Sequence, residues 1–345
     1  MSEQQVVIGV DAHKRTHTLV AADALGRQLG ERTVAATSDG HMLALEWAAQ
    51  WPVRRFAVED CRHVTRRLEG DLLRAGERLV RVPTKLMSGA RRSSREGGKS
   101  DPIDALAVAR AALREPDLPA AQLDGPQRQL RLLVDHRDDL VRERTRVQSR
   151  LRWHLHEIDP GLEVRSRGLR SRCVVDAVER HLEGFEGTVV EIARELVERV
   201  RQLNRRAREL EQQITILVAR IAPSLLGIAG CGALSAAKIV GETAGASRFR
   251  SRSAYARWNG TAPQPVWSGN TTRFRLSRGG NRQVNSALHR IAVTQARLDS
   301  PGREYIAQRM ESGKTRTEAL RLLRRRLSDV VFRTLLADET GLALT

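Results

Sequence analysis

Two aspartates in residues 98–105, Gly-Lys-Ser-Asp-Pro-Ile-Asp-Ala, have the spacing of a cation site. Pro102 favours a helix start, because its missing N–H costs nothing in the first turn. The three-residue spacing then puts Asp101 and Asp104 on one face. Carboxylates this close repel, so a cation between them would stabilise the pair. The alternative is a polar helix start in which aspartate complements the helix dipole.

Two further carboxylates end predicted strands. The apolar run 6–10 ends at Asp11, and the run 54–58 leads into Glu59. Continuous apolar runs are typical of central strands covered on both faces. A carboxylate there is costly unless it has a partner. Four carboxylates from two strands and a helix are able to hold a pair of divalent cations for phosphodiester chemistry. The candidate catalytic and metal-ligating residues are Asp11, Glu59, Asp101 and Asp104.

The elements that must position these residues indicate an α/β domain. Further strands are expected at 17–23, 28–36 and 78–82, and helices at 39–50 (capped by Ser38) and 64–74. Three strands in hairpin order, followed by helix–strand–helix–strand, predict a mixed sheet with helices on its faces. The Gly-, Ser- and Arg-rich segment 91–100 is expected to be a loop that leads to Asp101.

Composition indicates a polyanionic partner. The 345-residue chain has a net charge of +18, and only five of its 59 basic residues are lysine. A GC-rich genome would explain the Arg/Lys ratio but not the excess over acids, and arginine forks bind phosphate bidentately. The three cysteines lack metal-site spacing, which favours a reducing compartment. No run reaches the roughly 20 apolar residues of a membrane span, so we expect a cytoplasmic protein.

The middle of the chain is expected to be helical. One helix is predicted from Pro126 to about 158, and a heptad repeat with aliphatic seam positions runs from 189 to 221. The repeat indicates a coiled coil, either a dimerisation arm or an internal hairpin with the 126–158 helix. Arg137 and Arg144 interrupt the apolar stripe of that helix, which favours oligomerisation.

The C-terminal part contains a long window without acidic residues. None occurs between Glu242 and Asp299, although the chain has 41 acids, and ten arginines fall inside. A solvated helix face normally mixes signs, so this window predicts a nucleic-acid surface. Tyr255, Trp258 and Trp267 are available for base stacking. The candidate nucleic-acid-binding residues are Arg248, Arg250, Arg273, Arg275, Arg278 and Arg282.

A glycine-rich turn precedes this window. Residues 227–232 have the pattern Gly-x-x-Gly-x-Gly before an apolar helix at 234–240, which resembles a helix-hairpin-helix turn. Such turns present backbone N–H groups to phosphate without reading sequence. Alternatively, the glycines only permit a tight turn.

These motifs together resemble a known family. The contexts Ile-Gly-Val-Asp, Val-Glu-Asp and Lys-Ser-Asp-Pro-Ile-Asp-Ala match the tetrad of the DEDD transposases of the bridge-RNA-guided insertion-sequence family. Residues 263–269 (Pro-x-x-x-x-Ser-Gly) and 275–282 (Arg-x-Ser-x-x-Gly-Asn-Arg) resemble the C-terminal domain of the same family. By that resemblance, Ser268 matches the nucleophilic serine. Asp60, Asn259 and Trp267 depart from the pattern, and an additional ligand role for Asp60 stays open.

The resemblance implies an architecture and partners. The expected domains are a RuvC-like domain with an RNase H-like fold at 1–118, a helical coiled-coil arm at 119–222 and a mostly helical serine transposase domain at 223–345. It further implies Mg²⁺, donor and target DNA, a structured noncoding RNA and a homo-oligomer (dimer or tetramer) with active sites shared between protomers. The expected location is the prokaryotic cytoplasm, associated with the nucleoid.

Other functions remain open from the residues. A two-metal nuclease or junction resolvase would use water as the nucleophile, and Ser268 would then be structural. A basic nucleic-acid-binding protein without activity is a third reading. Sugar kinases and actin-like ATPases also open with a strand, an aspartate and a hairpin. The chain has no second Gly-rich phosphate loop and lacks the length for a second such domain, which disfavours them.

Overall fold

The chain is described from a computed structural model that covers residues 5–83, 86, 100–115, 118, 120, 121, 123, 125–268, 271–275 and 279–343. The chain forms two compact units, Met1–Asp124 and Gly125–Thr345. The three-domain division expected from the sequence therefore stays a prediction. The expected loop at 91–99 lies outside the described residues.

The first unit is built on a five-stranded mixed sheet. Its strands are β1 (Val6–Ala12), β2 (Thr16–Ala22), β3 (Gln28–Ala35), β4 (Arg54–Glu59) and β5 (Leu79–Val82). The strand order is β3-β2-β1-β4-β5, with β2 antiparallel to β1 and β3 and with β1, β4 and β5 parallel. This is the mixed sheet that the sequence predicted, with the RNase H-like order and directions.

Three described helices cover the sheet: α1 (Ser38–Ala48), α2 (Arg62–Arg74) and α3 (Asp101–Arg114). The helices and strands expected up to residue 82 are present, with ends within two residues of the prediction. The cap of α1 differs, because the Thr37 hydroxyl, not Ser38, accepts the hydrogen bond from the N–H of Gly40 (3.2 Å). Two apolar cores result, one on each face of the sheet.

Packing of α3 on β1 requires a glycine. A Cβ at Gly9 would lie 2.1 Å from the carbonyl oxygen of Ala105, so only glycine admits the helix this close. Val7 belongs to the core under α3, whereas Val6 and Ile8 belong to the opposite core. Because side chains alternate along a strand, Asp11 lies on the α3 face with Val7 and Gly9.

The second unit is mostly helical. Its helices are α4 (Pro126–Ile158), α5 (Arg172–Leu182), α6 (Thr188–Ile221), α7 (Pro223–Leu226), α8 (Ala233–Thr243), α9 (Arg252–Trp258), α10 (Arg282–Gln295), α11 (Pro301–Glu311) and α12 (Arg316–Ala343), with a 3₁₀ turn at Gly168–Arg170. The sequence did not predict its two-stranded sheet, formed by β6 (Gln264–Ser268) and β7 (Thr271–Arg275).

Helices α4 and α6 form an antiparallel hairpin within the chain. Arg137 of α4 pairs with Glu211 of α6 (2.9 Å), and further along, Arg199 of α6 binds Glu143. The heptad positions of α6, including Leu203, are buried inside the monomer. The heptad seam therefore forms the internal hairpin that the sequence left as the alternative.

The inference against that hairpin was wrong, because the interrupting arginines find partners across it. Arg137 binds Glu211, and a guanidinium nitrogen of Arg144 donates to Asn204 Oδ1 (3.3 Å). The apolar stripe need not be continuous when polar side chains of α6 satisfy these donors. Oligomerisation stays a prediction, but the heptad positions of α6 no longer support it, because they are buried within the monomer.

The predicted glycine turn joins two helices. It links α7 to α8, which begins at Ala233 after Gly232. Gly230 has φ +76°, and a Cβ there would lie 3.0 Å from Cβ of Thr294 on α10. The turn thus packs closely on α10. A phosphate-binding role of the helix-hairpin-helix kind stays a prediction.

Candidate metal centre and nucleic-acid surface

Two neighbouring parallel strands carry Asp11 and Glu59 to the same edge of the sheet. The register pairs Val10 with Val58, so Asp11 and Glu59 are the next residues along two adjacent strands. Ala57 belongs to the core under α3, which places Glu59 by alternation on that face as well. Both carboxylates therefore lie on the face of the sheet that α3 covers.

Helix α3 brings the other two carboxylates to the same face. Asp101 and Asp104 occupy its first turn, with Pro102 in the first turn as expected. Asp104 is buried, and its N–H donates to the carbonyl of Ser100 (3.0 Å). Asp101 is half exposed. The close approach at Gly9 thus sets the height of this turn above the strand that carries Asp11.

His13 is a member of the site that the sequence analysis missed. Its Nε2 lies 3.0 Å from Oδ2 of Asp11 and 3.4 Å from Oδ1 of Asp101. Ligand atoms of these three residues lie within 4.8 Å of one another, a geometry able to hold a metal ion. The signal available in the sequence was its place two residues after Asp11, in the turn between β1 and β2.

Among the described residues, this group is the one cluster of metal-ligand type. It contains Asp11 and Asp101 of the predicted tetrad, and Glu59 and Asp104 are outside that 4.8 Å group. Asp104 nonetheless lies close enough for its charge to act on Asp11. The structure therefore brings Asp11 and Asp101 into one group of possible ligands. Asp104 and Glu59 lie on the same face of the sheet but outside that group.

The electrostatics of the cluster favour a cation. Burial raises the pKa of Asp11; His13 opposes this shift, and the charges of Asp104 and Asp101 add to it. Burial, then the charges of Glu59 and Asp11, raise the pKa of Cys61 to about 11. These shifts reflect crowded negative charge at the ends of β1 and β4. A bound cation would relieve that repulsion.

The donor set fits a divalent metal ion. Carboxylate oxygens are the ligands that Mg²⁺, Ca²⁺ and Mn²⁺ prefer, and imidazole suits Zn²⁺ and other late transition metals. Asp11, Asp101, Asp104 and Glu59 would hold the ion by oxygen, and His13 offers one nitrogen that a transition metal would accept. Among the described residues, the metal-binding group includes no sulfur ligand.

The candidate nucleophile, Ser268, is the last residue of β6. In the ladder with β7, Ser268 pairs with Thr271, Val266 with Arg273, and Gln264 with Arg275. Directly paired residues of an antiparallel ladder share a face. The backbone register therefore puts positions 268, 273 and 275 on one face of the hairpin.

The six predicted nucleic-acid arginines differ in their surroundings. Arg250, Arg275 and Arg282 are exposed. Arg248 is half-buried: its Nε donates to the carbonyl of Thr243 (2.8 Å), and its guanidinium lies 4.3 Å from the centroid of Phe249. Both contacts are made within the chain, and a nucleic-acid-binding role for Arg248 stays a prediction. Position 273 is on β7, and Arg278 lies outside the described residues.

The aromatic residues also divide between core and surface. Tyr255 is fully buried, stacked between Trp258 and Phe332, so the expectation that it stacks on bases is wrong. Trp267 is 70% exposed, and Phe274, which the sequence analysis did not single out, is 67% exposed. Pairing of Pro265 with Phe274 and of Trp267 with Thr272 puts both aromatics on the hairpin face opposite Ser268.

Two protein-family models match this chain in order. A DEDD transposase model of the IS110 type, described as Transposase, matches residues 8–160, and a model described as Transposase IS116/IS110/IS902 family matches residues 222–307. The first span contains the carboxylate cluster, and the second contains Ser268. Together with the fold, these matches define the class: a DNA transposase, an enzyme of DNA recombination. The chain belongs to the DEDD transposases of the IS110 family.

Insertion-element proteins from actinobacteria are similar along the chain. The 44.8 kDa protein of IS116 from Streptomyces clavuligerus is 26% identical, covering 95% of this chain and 94% of that protein. The 42 kDa protein of IS900 from Mycobacterium paratuberculosis is 26% identical over 94% of each. The 43.6 kDa protein of IS110 from Streptomyces coelicolor is 27% identical over 67% of this chain and 69% of that protein.

Among solved structures, Thermus thermophilus RuvC in complex with a Holliday junction substrate is matched at a TM-score of 0.27. The sequence identity is 16%, and the match covers 34% of this chain and 99% of that one. In the part of the chain that the structure describes, no helix has the length and apolarity to span a membrane.

Proposed function

We propose that this transposase cuts and rejoins DNA through Ser268, with Mg²⁺ held by Asp11, Glu59, Asp101 and Asp104. The observation that carries the metal part is the convergence of Asp11 and Asp101, from β1 and α3, around His13. The matched family supports the choice of DNA as the substrate.

The metal, when bound, would stabilise negative charge that develops on the scissile phosphate. Ser268 Oγ attacks the phosphorus, forming a serine–phosphate ester as the bond to the departing deoxyribose oxygen breaks. That oxygen takes up a proton, and the reverse reaction with a new strand frees the serine. The ester conserves the bond energy needed for rejoining. Arg273 and Arg275 would orient the phosphate by bidentate hydrogen bonds.

Activation of Ser268 is the demanding step of this reaction. In sequence, the nearest histidine is His289, and the acid-free window holds no other basic side chain able to accept the proton. The proton must therefore pass to a carboxylate of the tetrad or to solvent, with the arginines lowering the pKa of the hydroxyl.

The decisive experiment uses a nicked suicide substrate, on which a covalent intermediate accumulates. Ser268→Ala should bind DNA as the parent does, since it loses one oxygen, and should form no denaturant-resistant protein–DNA species. Ser253→Ala, an exposed serine of α9, is the matched control and should form the adduct normally. Cleavage by Ser268→Ala with Mg²⁺ present would establish water as the nucleophile and favour the resolvase-like alternative.

A second experiment tests the metal assignment. Asp101→Asn and Glu59→Gln should each abolish cleavage while leaving DNA binding close to that of the parent. The metal-free fold should be as stable or more so, because each change removes a repelling charge. Recombination at near-normal rate by either variant would refute the tetrad.

We also propose a structured noncoding RNA partner and a homo-oligomer, dimer or tetramer. Support comes from the family resemblance and from the acid-free arginine window of 243–298, a surface suited to either nucleic acid. Sequencing the RNA that copurifies with the protein tests the first point. A single structured species encoded beside the transposase gene would support it, and a random collection of cellular RNA would contradict it.

A further inference from the structure

The hairpin arm carries a second cationic site, where α4, the 3₁₀ turn and α6 meet. Asn204 of α6, 3% exposed, organises it: its Nδ2 donates to the carbonyl of Leu169 (2.8 Å), and its Oδ1 accepts from Arg144 (3.3 Å). The first bond fixes the 3₁₀ turn, and with it Arg170, against the hairpin. We call Arg144, Arg170 and Arg208 the arginine junction.

The arginine junction concentrates positive charge, and the structure shows no direct ion pair for its described arginines. Burial, followed by the charges of Arg170, Arg137 and Arg208, lowers the pKa of Arg144, and the charge of Glu211, the partner of Arg137, acts in the opposite direction. Within the described part of the chain, no ion pair involves Arg144, Arg170 or Arg208. The Arg208 side chain instead donates to the backbone carbonyl of Asn204 (3.2 Å).

Other arginines of the same hairpin are neutralised. Arg199 is paired with Glu143, Arg206 with Glu209 (3.0 Å), and Arg201 with Asp176, Glu179 and Glu198. The hairpin therefore has carboxylates nearby, and Glu209 and Glu211 pair with Arg206 and Arg137, not with the three arginines of the junction. Like charges held together in a partly buried site repel, and an anion relieves that cost.

A cavity of about 410 Å³ opens beside the junction. It is lined by four arginines (Arg172, Arg201, Arg205 and Arg208), by Asn204 and Gln212, and by one carboxylate, Glu209, which pairs with Arg206. Its volume falls in the range of about 300–1,000 Å³ typical of ligand sites. Guanidinium forks match phosphate geometry, and amide side chains add neutral donors. Arg205 and Arg208, three residues apart, project from neighbouring positions of one helix face, as a phosphate row requires.

We propose that the arginine junction and this cavity bind the phosphodiester backbone of a nucleic acid, as a site on the arm distinct from the acid-free window of 243–298. The phosphate chemistry is shared by DNA and RNA. The proposal rests on the chain being a nucleic-acid enzyme and does not depend on Ser268. Its test measures binding alone, so its failure is separable from a failure to form the serine adduct.

The test compares two double variants of the full chain. Arg170→Gln with Arg208→Gln removes two of the three junction arginines. Arg142→Gln with Arg199→Gln is the matched control, because it removes the same charge from ion-paired arginines of the same hairpin. Affinity is measured against random-sequence duplex DNA and against an unrelated RNA hairpin over a series of salt concentrations.

The junction variant should bind more weakly, and the slope of log K against log salt should fall by about 2, one unit for each phosphate that is no longer neutralised. The control should keep its slope. Weaker binding of both nucleic acids, or of RNA alone or DNA alone, supports the proposal and assigns the ligand. An unchanged slope with both, or an equal fall in the control, overturns it.

The melting temperature of each variant shows whether weaker binding is only the result of misfolding. The junction variant should melt at the same temperature as the parent or higher, because repelling charges are removed, and Arg170→Gln alone changes an exposed residue. The last measurement uses inorganic phosphate as the ligand. If phosphate raises the melting temperature of the parent but not of the junction variant, while nucleic-acid binding is equal, the site is for a small anion, and the proposal fails.

Discussion

His13 lies 3.0 Å from Asp11 and 3.4 Å from Asp101, between carboxylates that would otherwise face each other. In this arrangement an imidazole N–H between the two carboxylates reduces their mutual repulsion, as a bound cation would. Mg²⁺ prefers oxygen ligands, so the imidazole must compete with that ion rather than bind it. A transition metal would instead accept the ring nitrogen as a ligand.

This competition predicts a difference between metals. His13→Ala should keep or raise the affinity for Mg²⁺ and lower that for Zn²⁺, an ion that imidazole suits. Asp101→Asn should lower both affinities by at least about 10-fold, since even residues that only support metal ligands cost this much. Calorimetric titration of each variant with each ion is the measurement. A strong loss of Mg²⁺ affinity in His13→Ala would show that the imidazole is an obligatory ligand.

A buried histidine pair lies on the other side of the same domain. His17 of β2 stacks on His41 of α1, with ring centroids 5.3 Å apart, and Nδ1 of His41 lies 2.5 Å from Oδ2 of Asp71. Burial, then the charges of His41 and His13, lowers the pKa of His17 from 6.5 to about 4. Folded His17 therefore remains neutral at pH values where the unfolded chain takes up a proton.

The sign of the pH effect follows from this shift. Between pH 6.5 and 4 the unfolded chain binds more protons, so the free energy of unfolding should fall as the pH falls, by up to about 3 kcal/mol from His17. His17→Phe keeps an aromatic ring and cannot titrate, so the stabilities of parent and variant should converge or cross on acidification. Urea unfolding at several pH values measures the difference, and a constant difference would contradict the assignment.

Strand β1 and helix α3 act together as the element that assembles the candidate centre. One glycine controls their separation, because a Cβ at Gly9 would lie 2.1 Å from the Ala105 carbonyl and 2.5 Å from the Ala109 nitrogen. The helix cannot yield locally, since both contacts are backbone atoms. A larger residue must lift α3, and with it Asp101 and Asp104.

Gly9→Ala should therefore destabilise the first unit by about 3 kcal/mol and weaken metal binding together. Gly70→Ala in α2 is the control: its Cβ would meet only the flexible end of Arg74, so stability should stay equal or rise by up to about 1 kcal/mol. Denaturant unfolding and metal titration check both. Normal metal affinity in Gly9→Ala would mean that α3 is not the element that sets the site.

The whole molecule shows how the heptad is used. The seam of α6 is buried against α4 inside one chain, so an oligomer must use another surface. Ile216 lies on α6 with 72% of its surface exposed, whereas Leu203 is 2% exposed. Substitutions at Leu203 and Ile216 therefore distinguish packing of α6 within the chain from contact of its exposed face with a second copy.

Leu203→Asp should unfold the arm, with a loss of about 3 kcal/mol or more, because a charge enters a desolvated seam. Ile216→Asp should leave helix content and melting temperature unchanged. Circular dichroism and light scattering measure fold and mass. A folded Leu203→Asp protein of altered mass would show the seam to be intermolecular, and a mass change in Ile216→Asp alone would locate the contact on the exposed face.

Much of this protein was determined by the sequence itself. The apolar runs ending in Asp11 and Glu59, the Pro102 helix start and the heptad of α6 specify local structure through periods of two and seven, which do not depend on the rest of the chain. Those patterns predicted the strands and helices of the first unit and the family to which the chain belongs.

The tertiary structure decided which residues the predicted strands and helices bring into contact. His13 joined Asp11 and Asp101 because α3 packs on β1 at Gly9, a contact between segments far apart in sequence. Tyr255 is in the core and Phe274 is on the surface. Aromatic residues occur in both places, so their residue type alone does not predict burial. The heptad seam closed on α4 because Glu211 and Asn204 satisfied the arginines that interrupt its stripe. Periodicity identifies the face of a helix that will be buried, and only the folded chain determines its partner.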